Sequence, residues 1–320
     1  MTASPDTTLD AELDTVPAPA TRAVAQPIAA APDRCSAPGQ RLVANDGIEI
    51  CTEAFGDPEA PPMLLMVGAT ASMLWWEDEF CQRLADGGRY VIRMDNRDTG
   101  QSTTYPAGEA PYELADMAED AIGVLDGYGI DRAHVMGRSM GGMIAQHLAL
   151  DHASRLRTIT LIYSSPEGGA GAPGVRGDLP ALSPKIVAVG SAIPPGDDEA
   201  ALAARVELQR ALVGSRFPFD EARSRTLITR EMERAINFPS STNHSIVATT
   251  SPPWRDRLGV IDVPTLVVHG TDDPLLQLPH GEALAAEIPN AELVILDGVG
   301  HEVPVGIWPR LIERLLAHTE

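Results

Sequence analysis

Aromatic side chains make up only 4% of the 320 residues, so a core must be built from Leu, Val, Ile, Ala and Met. Cysteine is scarcer still: Cys35, Cys51 and Cys81 are the three present, with no Cys-x-x-Cys pair. An odd number without that spacing argues against a disulfide framework and a structural zinc site, and predicts reduced, partly buried thiols. No apolar run approaches the ~18–20 residues of a membrane span. The opening MTASPDTTLDAELD has neither the basic start nor the apolar stretch of a secretory signal. Positive charge is also short, with 24 Lys and Arg against 45 Asp and Glu and a formal net charge of −21. A surface of that sign repels phosphate backbones and anionic lipid, so nucleic acid and membrane are not expected partners. The reading is a soluble, cytoplasmic chain. Equally absent are H-E-x-x-H, G-x-x-x-x-G-K-S/T and a G-x-G-x-x-G after a strand, so no metal, nucleotide or other cofactor is expected.

What is present reads as one large α/β domain with an insertion. Residues 1–37 are rich in Ala, Pro, Thr and Asp without apolar periodicity, a composition that predicts a disordered leader. The turn Asn45-Asp46-Gly47 predicts a hairpin within 41–55. Short continuous apolar runs follow at 62–67, 90–94, 134–136, 158–163, 264–269 and 292–296. Such runs predict strands covered on both faces, as in a parallel sheet. Helical patterns at 77–85, 112–128, 140–150, 281–288 and 307–318 alternate with them, which implies right-handed crossovers and helices on both sides. The alternation stops over 165–261, a Gly/Pro-rich stretch followed by helix-like segments at 199–213 and 220–235. An inserted helical cap is expected there, dividing the core into 38–164 and 262–320.

Gly137-Arg138-Ser139-Met140-Gly141 fits G-x-S-x-G, and it lies between a strand pattern and a helix pattern. That context is what a nucleophile elbow requires, with small residues where the backbone folds back on itself. A serine hydroxyl needs a base, and the base needs an orienting acid. In this architecture the order along the chain is Ser, acid, His. Gly270-Thr271-Asp272-Asp273-Pro274 and Asp297-Gly298-Val299-Gly300-His301 supply both in order, each just past a strand where open sheets place their sites. Asp273 is the chosen acid, because Pro274 fixes the chain beyond it and leaves Asp272 as a turn residue; Glu167 is the fallback. Of the other histidines, His134 opens a strand, His147 and His152 belong to the helix after Ser139, His269 ends a strand, and His280 and His318 fit helix starts or surfaces. His244 falls in the insertion without an evident place. The N–H groups of Met140 and of Ala69, freed by the turn at Gly68, are the candidate oxyanion donors. The polar run 95–102 (DNRDTGQS) is expected to brace neighbouring loops rather than to react.

These residues resemble the α/β-hydrolase superfamily, and the likeness narrows to the aclacinomycin methylesterase group of actinomycete serine esterases. It is carried by ADGGRYVIRMDNRDTGQSTTY, VLDGYGIDRAHVMGRSMGG, HGTDDPLLQLPHGEALAAEIPNAEL and DGVGHEVP, in order across about 40–320. The resemblance implies an α/β-hydrolase fold, a triad of Ser139, Asp273 and His301, and oxyanion donors at Ala69 and Met140. Two departures stand out. Val67-Gly68 replaces the usual His-Gly before the oxyanion loop, and Arg138 is long and charged where a smaller apolar residue is common, which makes it a candidate substrate contact together with Gly68.

The expected activity is hydrolysis of a small-molecule carboxylic ester through an acyl-enzyme, with a polyketide-type methyl ester as one candidate. A lyase, perhydrolase or cyclisation catalyst of the same fold stays open, as does a non-catalytic ligand-binding relative. A histidine base works only when neutral, so activity should fall below about pH 6. A flat pH–rate profile between about pH 5 and 8 would contradict that role.

Overall fold

Asp46 and Gly47 both have positive φ, the geometry that closes a two-residue hairpin. They join β1 (Gln40–Asn45) to β2 (Ile48–Phe55). The computed structural model describes residues 25–29, 34–168, 175–191 and 198–320. The chain continues through β3 (Pro62–Met66), α1 (Asp78–Asp86), β4 (Tyr90–Met94), α2 (Leu114–Gly127), β5 (Ala133–Arg138), α3 (Met140–Asp151) and β6 (Leu156–Ile162). Among the described residues four helices follow, α4 (Pro184–Ser191), α5 (Asp198–Leu212), α6 (Glu221–Arg234) and α7 (Asn243–Thr250). The chain closes with β7 (Thr265–Gly270), α8 (Leu278–Glu287), β8 (Glu292–Leu296) and α9 (Trp308–His318). Between β6 and β7 no strand occurs among the described residues.

The eight strands form one sheet in the order β1-β2-β4-β3-β5-β6-β7-β8. Only the β1–β2 and β2–β4 pairs are antiparallel. After β3 the chain adds β4 on one side, and then crosses to add β5 on the other. The crevice between β3 and β5 is therefore a topological switch point, where the loops leaving the strand ends diverge and leave room for a ligand.

Pleating sends alternate side chains of one strand to opposite layers. Leu64 and Met66 join Leu114, Met117 and Val124 of α2 and Ile144 and Leu148 of α3. Met63 and Leu65 join Phe80 and Leu84 of α1 and Trp308, Leu311 and Leu315 of α9. With few aromatics available they are grouped: Phe80 lies between Trp76 and Trp308, with ring centroids 5.4 and 5.5 Å away. Two arginines inside the fold are paired with carboxylates. Arg93 on β4, 1% exposed, bonds Glu53 and Asp78, and Arg97 holds the buried carboxylate of Asp120 on α2.

The expectation of three reduced thiols is overturned. Cys35 and Cys51 form a disulfide with Cα atoms 5.8 Å apart. Counting cysteines does not register that β1 and β2 fold back to bring residue 51 beside the chain that enters β1. Cys81 is the buried free thiol, pushed up to about 12 by burial and therefore inert at neutral pH. Of the leader expected over 1–37, only 25–29 and 34–37 are described. There the Ile28 N–H donates to the Thr104 carbonyl at 2.8 Å and Arg34 pairs with Glu49; the remainder lies outside the described residues. No helix among the described residues is long and apolar enough to cross a membrane.

Removing one member of a buried ion pair leaves the other charge without compensation. Arg97→Met, which leaves the buried Asp120 carboxylate of α2 without its partner, should cost about 3–5 kcal/mol. Denaturant unfolding checks this, and a loss below about 1 kcal/mol would mean the pair contributes no more than a surface one.

Candidate active site

Ser139 sits at the turn from β5 into α3 with φ 54° and ψ −120°, a conformation that L side chains rarely adopt. The turn is tight enough that a Cβ on Gly137 would lie 2.1 Å from the Gly141 carbonyl oxygen, and one on Gly141 would lie 2.6 Å from the carbonyl oxygens of Met66 and Val67. The Ser139 N–H donates to Ile162 at 2.8 Å, and the Ser164 hydroxyl donates to the Ser139 carbonyl at 2.9 Å. The end of β6 thus holds the turn from the side.

Asp273 and His301 meet directly. Asp273 Oδ2 is 2.7 Å from His301 Nδ1, and Oδ1 accepts the N–H groups of Leu275 and Leu276 at 2.9 Å each. Assigning the His301 proton to Nδ1 from this partner leaves Nε2 as the free acceptor of the neutral ring. The His301 N–H donates to the Leu212 carbonyl at the end of α5, and its ring packs on Tyr163, which follows β6, at 5.9 Å. Among the described residues no hydrogen bond joins Ser139 Oγ to His301; such contacts often tighten only when substrate binds. Asp272 points elsewhere and accepts the Ser215 N–H at 3.0 Å. Glu167, the fallback acid, is buried against Arg255 at 3.1 Å.

The loop after β3 brings Gly68 and Ala69 to the same place. A Cβ on Gly68 would stand 3.1 Å from Ser139 Cβ and 3.7 Å from its Oγ. Met140 opens α3, so its N–H has no partner within the helix. Ala69, Ser139 and Met140 together line a cavity of about 420 Å³ whose walls include Met143, Leu179, Leu182, Leu275 and Leu276. Polar groups on its wall are few, among them Glu167 and His280. His280 lies in the first turn of α8, buried and bonded to Ser165 and to the Pro180 carbonyl.

The loop beyond Ala69 is clamped by residues that the sequence left without a role. His244, fully buried, accepts the Thr70 N–H at Nδ1 (3.0 Å) and bonds the Arg97 carbonyl through Nε2 (2.6 Å). Burial lowers its affinity for a proton, which keeps the ring neutral as this donor–acceptor pattern requires. Arg205 on α5 donates to the Thr70 carbonyl at 3.2 Å, and Glu231 on α6 accepts from the Trp75 indole at 3.2 Å and from the Ser72 N–H. No motif announces these three, because their partners are backbone groups far away in the chain. The run 95–102 braces as expected: Asp95 accepts the N–H groups of Met73 and Gln101, and Asp98 accepts from Tyr105, Thr104 and Asn243. Among the described residues no cluster of three or more His, Cys, Asp or Glu side chains is placed to hold a metal ion.

Residues 61–305 match the family model of the alpha/beta hydrolase fold. The chain is 35% identical over 297 residues to the rhodomycin D methylesterases DauP of a Streptomyces species and DnrP of Streptomyces peucetius, covering 87% of this chain and 97% of each relative. The solved structure of a hydrolase from Pseudomonas aeruginosa superposes with a TM-score of 0.68 at 26% identity, over 88% of this chain and 98% of that one. The chain belongs to the α/β-hydrolase family and is a hydrolase.

Proposed function

We propose that this protein hydrolyses small-molecule carboxylic esters, with Ser139 as nucleophile, His301 as general base and acid, and Asp273 as the group that orients His301. The observation that carries the reading is the pairing of two features at one sheet edge: a serine held at positive φ between strand and helix, and an Asp–His contact of 2.7 Å beyond β7 and β8. His301 Nε2 takes the Ser139 proton as Oγ bonds the carbonyl carbon. The negative charge that develops on the carbonyl oxygen is met by the N–H groups of Ala69 and Met140. Collapse of the tetrahedral species breaks the bond to the alcohol, which leaves with the proton from His301. Water then repeats the sequence and releases the acid. Asp273 keeps the proton on Nδ1 and compensates the imidazolium.

Residues 165–261 act in this reading as a cap over the cavity. The Leu- and Met-rich wall beside Ser139 suits an apolar acyl group, and the kinship with rhodomycin D methylesterases favours a methyl ester of a polyketide-type acid. A methyl group needs little room, which leaves the larger space to the acid portion.

A fluorophosphonate should add once to the wild type and not to Ser139→Ala, as seen by intact mass; a folded wild type that takes no adduct would sink the nucleophile assignment. Asp273→Asn should keep the contact but favour the wrong tautomer, lowering kcat by about 10⁴-fold. A loss of under about tenfold in steady-state kinetics would show that another group orients His301.

A further inference from the structure

A second cavity is lined by residues of the elbow and of the histidine loop. Its volume is about 220 Å³, and Arg138 and Glu302 both line it. These are the chain neighbours of Ser139 and His301, so the elbow and the histidine loop each turn one charged side chain into the same space. Trp75, Phe217 and Phe219 form much of the remaining wall. Arg138 is partly buried with its Nε sealed from solvent and without a hydrogen-bond partner, and no described carboxylate forms an ion pair with it. Its clear contact is with the face of Trp75, at 5.8 Å from the ring centroid. The other charges at this wall are engaged: Arg223 is held by Glu77, and Asp220 caps α6 through the Arg223 N–H. Glu302 is pushed up to about 7 by burial, so near neutrality it compensates Arg138 only in part.

We propose that this cavity is a subsite for a carboxylate on a planar or aromatic portion of the substrate, recognised by the Arg138 guanidinium between aromatic walls. The inference rests on the ester-hydrolase reading for which bond is cut, and it narrows the substrate class to esters that carry a second, ionised acid group. A guanidinium presents a planar fork that a carboxylate matches with two parallel hydrogen bonds, and the rings flank a flat group without asking for further polar partners. In a chain of net charge −21 a cation that is only partly compensated also draws an anion to a site that the rest of the surface would repel.

The test is calorimetric binding of the monomethyl ester of terephthalic acid and of its neutral isostere, methyl 4-carbamoylbenzoate, to the full chain carrying Ser139→Ala. The acid should bind at least about tenfold more tightly than the amide. Arg138→Gln in the same background should remove the difference, and Arg138→Lys should keep part of it, with far-ultraviolet circular dichroism reporting that each variant is folded. Equal affinity for the two esters, or a preference that survives Arg138→Gln, overturns the subsite. Should Arg138→Gln not fold, the comparison of the two esters in the Arg138 protein decides alone. Fluorophosphonate labelling of the wild type reads the nucleophile independently, so loss of that reading and loss of the subsite give different results.

Discussion

The approach of Gly137 to Gly141, close enough to exclude any side chain at either position, is the constraint on which the site depends. It lets β5 reverse directly into α3 and leaves Ser139 at φ 54° at the apex. A non-glycine residue held there costs of order 1–3 kcal/mol. That cost is sustained only where the surroundings fix the backbone on every side. Here Ile162 of β6 and Ser164 just beyond it supply two of the bonds, and the first turn of α3 supplies two more, from Gly142 and Met143 to the Ser139 carbonyl. Those bonds exist because β5 and β6 are paired in register beneath two well-packed layers. Core packing and site geometry are therefore parts of one arrangement.

The switch point between β3 and β5 explains why the other groups arrive where they do. The loop leaving β3 delivers Gly68 and Ala69 beside Ser139, while β7 and β8 deliver Asp273 and His301 from further along the same edge. Loops at strand ends are not rigid by themselves. The helices between β6 and β7 supply the missing restraint: His244 and Arg205 hold Thr70, Glu231 holds Ser72 and Trp75, and the Leu212 carbonyl holds His301. A movement of these helices would shift Thr70 and His301 together.

Much of this was legible in the chain because it follows from local chemistry. The run at 62–67 had to be a strand buried on both faces, and Gly, Ser and Gly between strand and helix had to be a tight turn. Pro274 was the ground for choosing Asp273 over Asp272, and in the fold Asp273 meets His301 while Asp272 accepts the Ser215 N–H. The clamps were not legible, because His244 and Thr70 meet only after the whole sheet is assembled, and neither residue type nor spacing hints at the partner. Cys35 and Cys51 show the same limit. Their pairing depends on where the chain entering β1 lies against β2, which a count of cysteines does not contain.

Charge ties these levels together. With 45 acidic residues against 24 basic ones, most interior guanidinium groups have a carboxylate at hand: Arg93 has Glu53, Arg97 has Asp120, Arg234 has Asp95, and Arg255 has Glu167 and Glu287. Arg205 has no carboxylate partner among the described residues; its Nη atoms bond the Thr70 carbonyl and the Ser241 hydroxyl, while its Nε is buried without a partner. Arg138 has neither kind of partner among the described residues, and burial pushes its guanidinium below the usual range. A desolvated cation left so costs the empty protein stability. In the proposed subsite an arriving carboxylate recovers that cost as affinity. The same residue that makes the elbow less favourable when empty thereby gives it a means to select what enters.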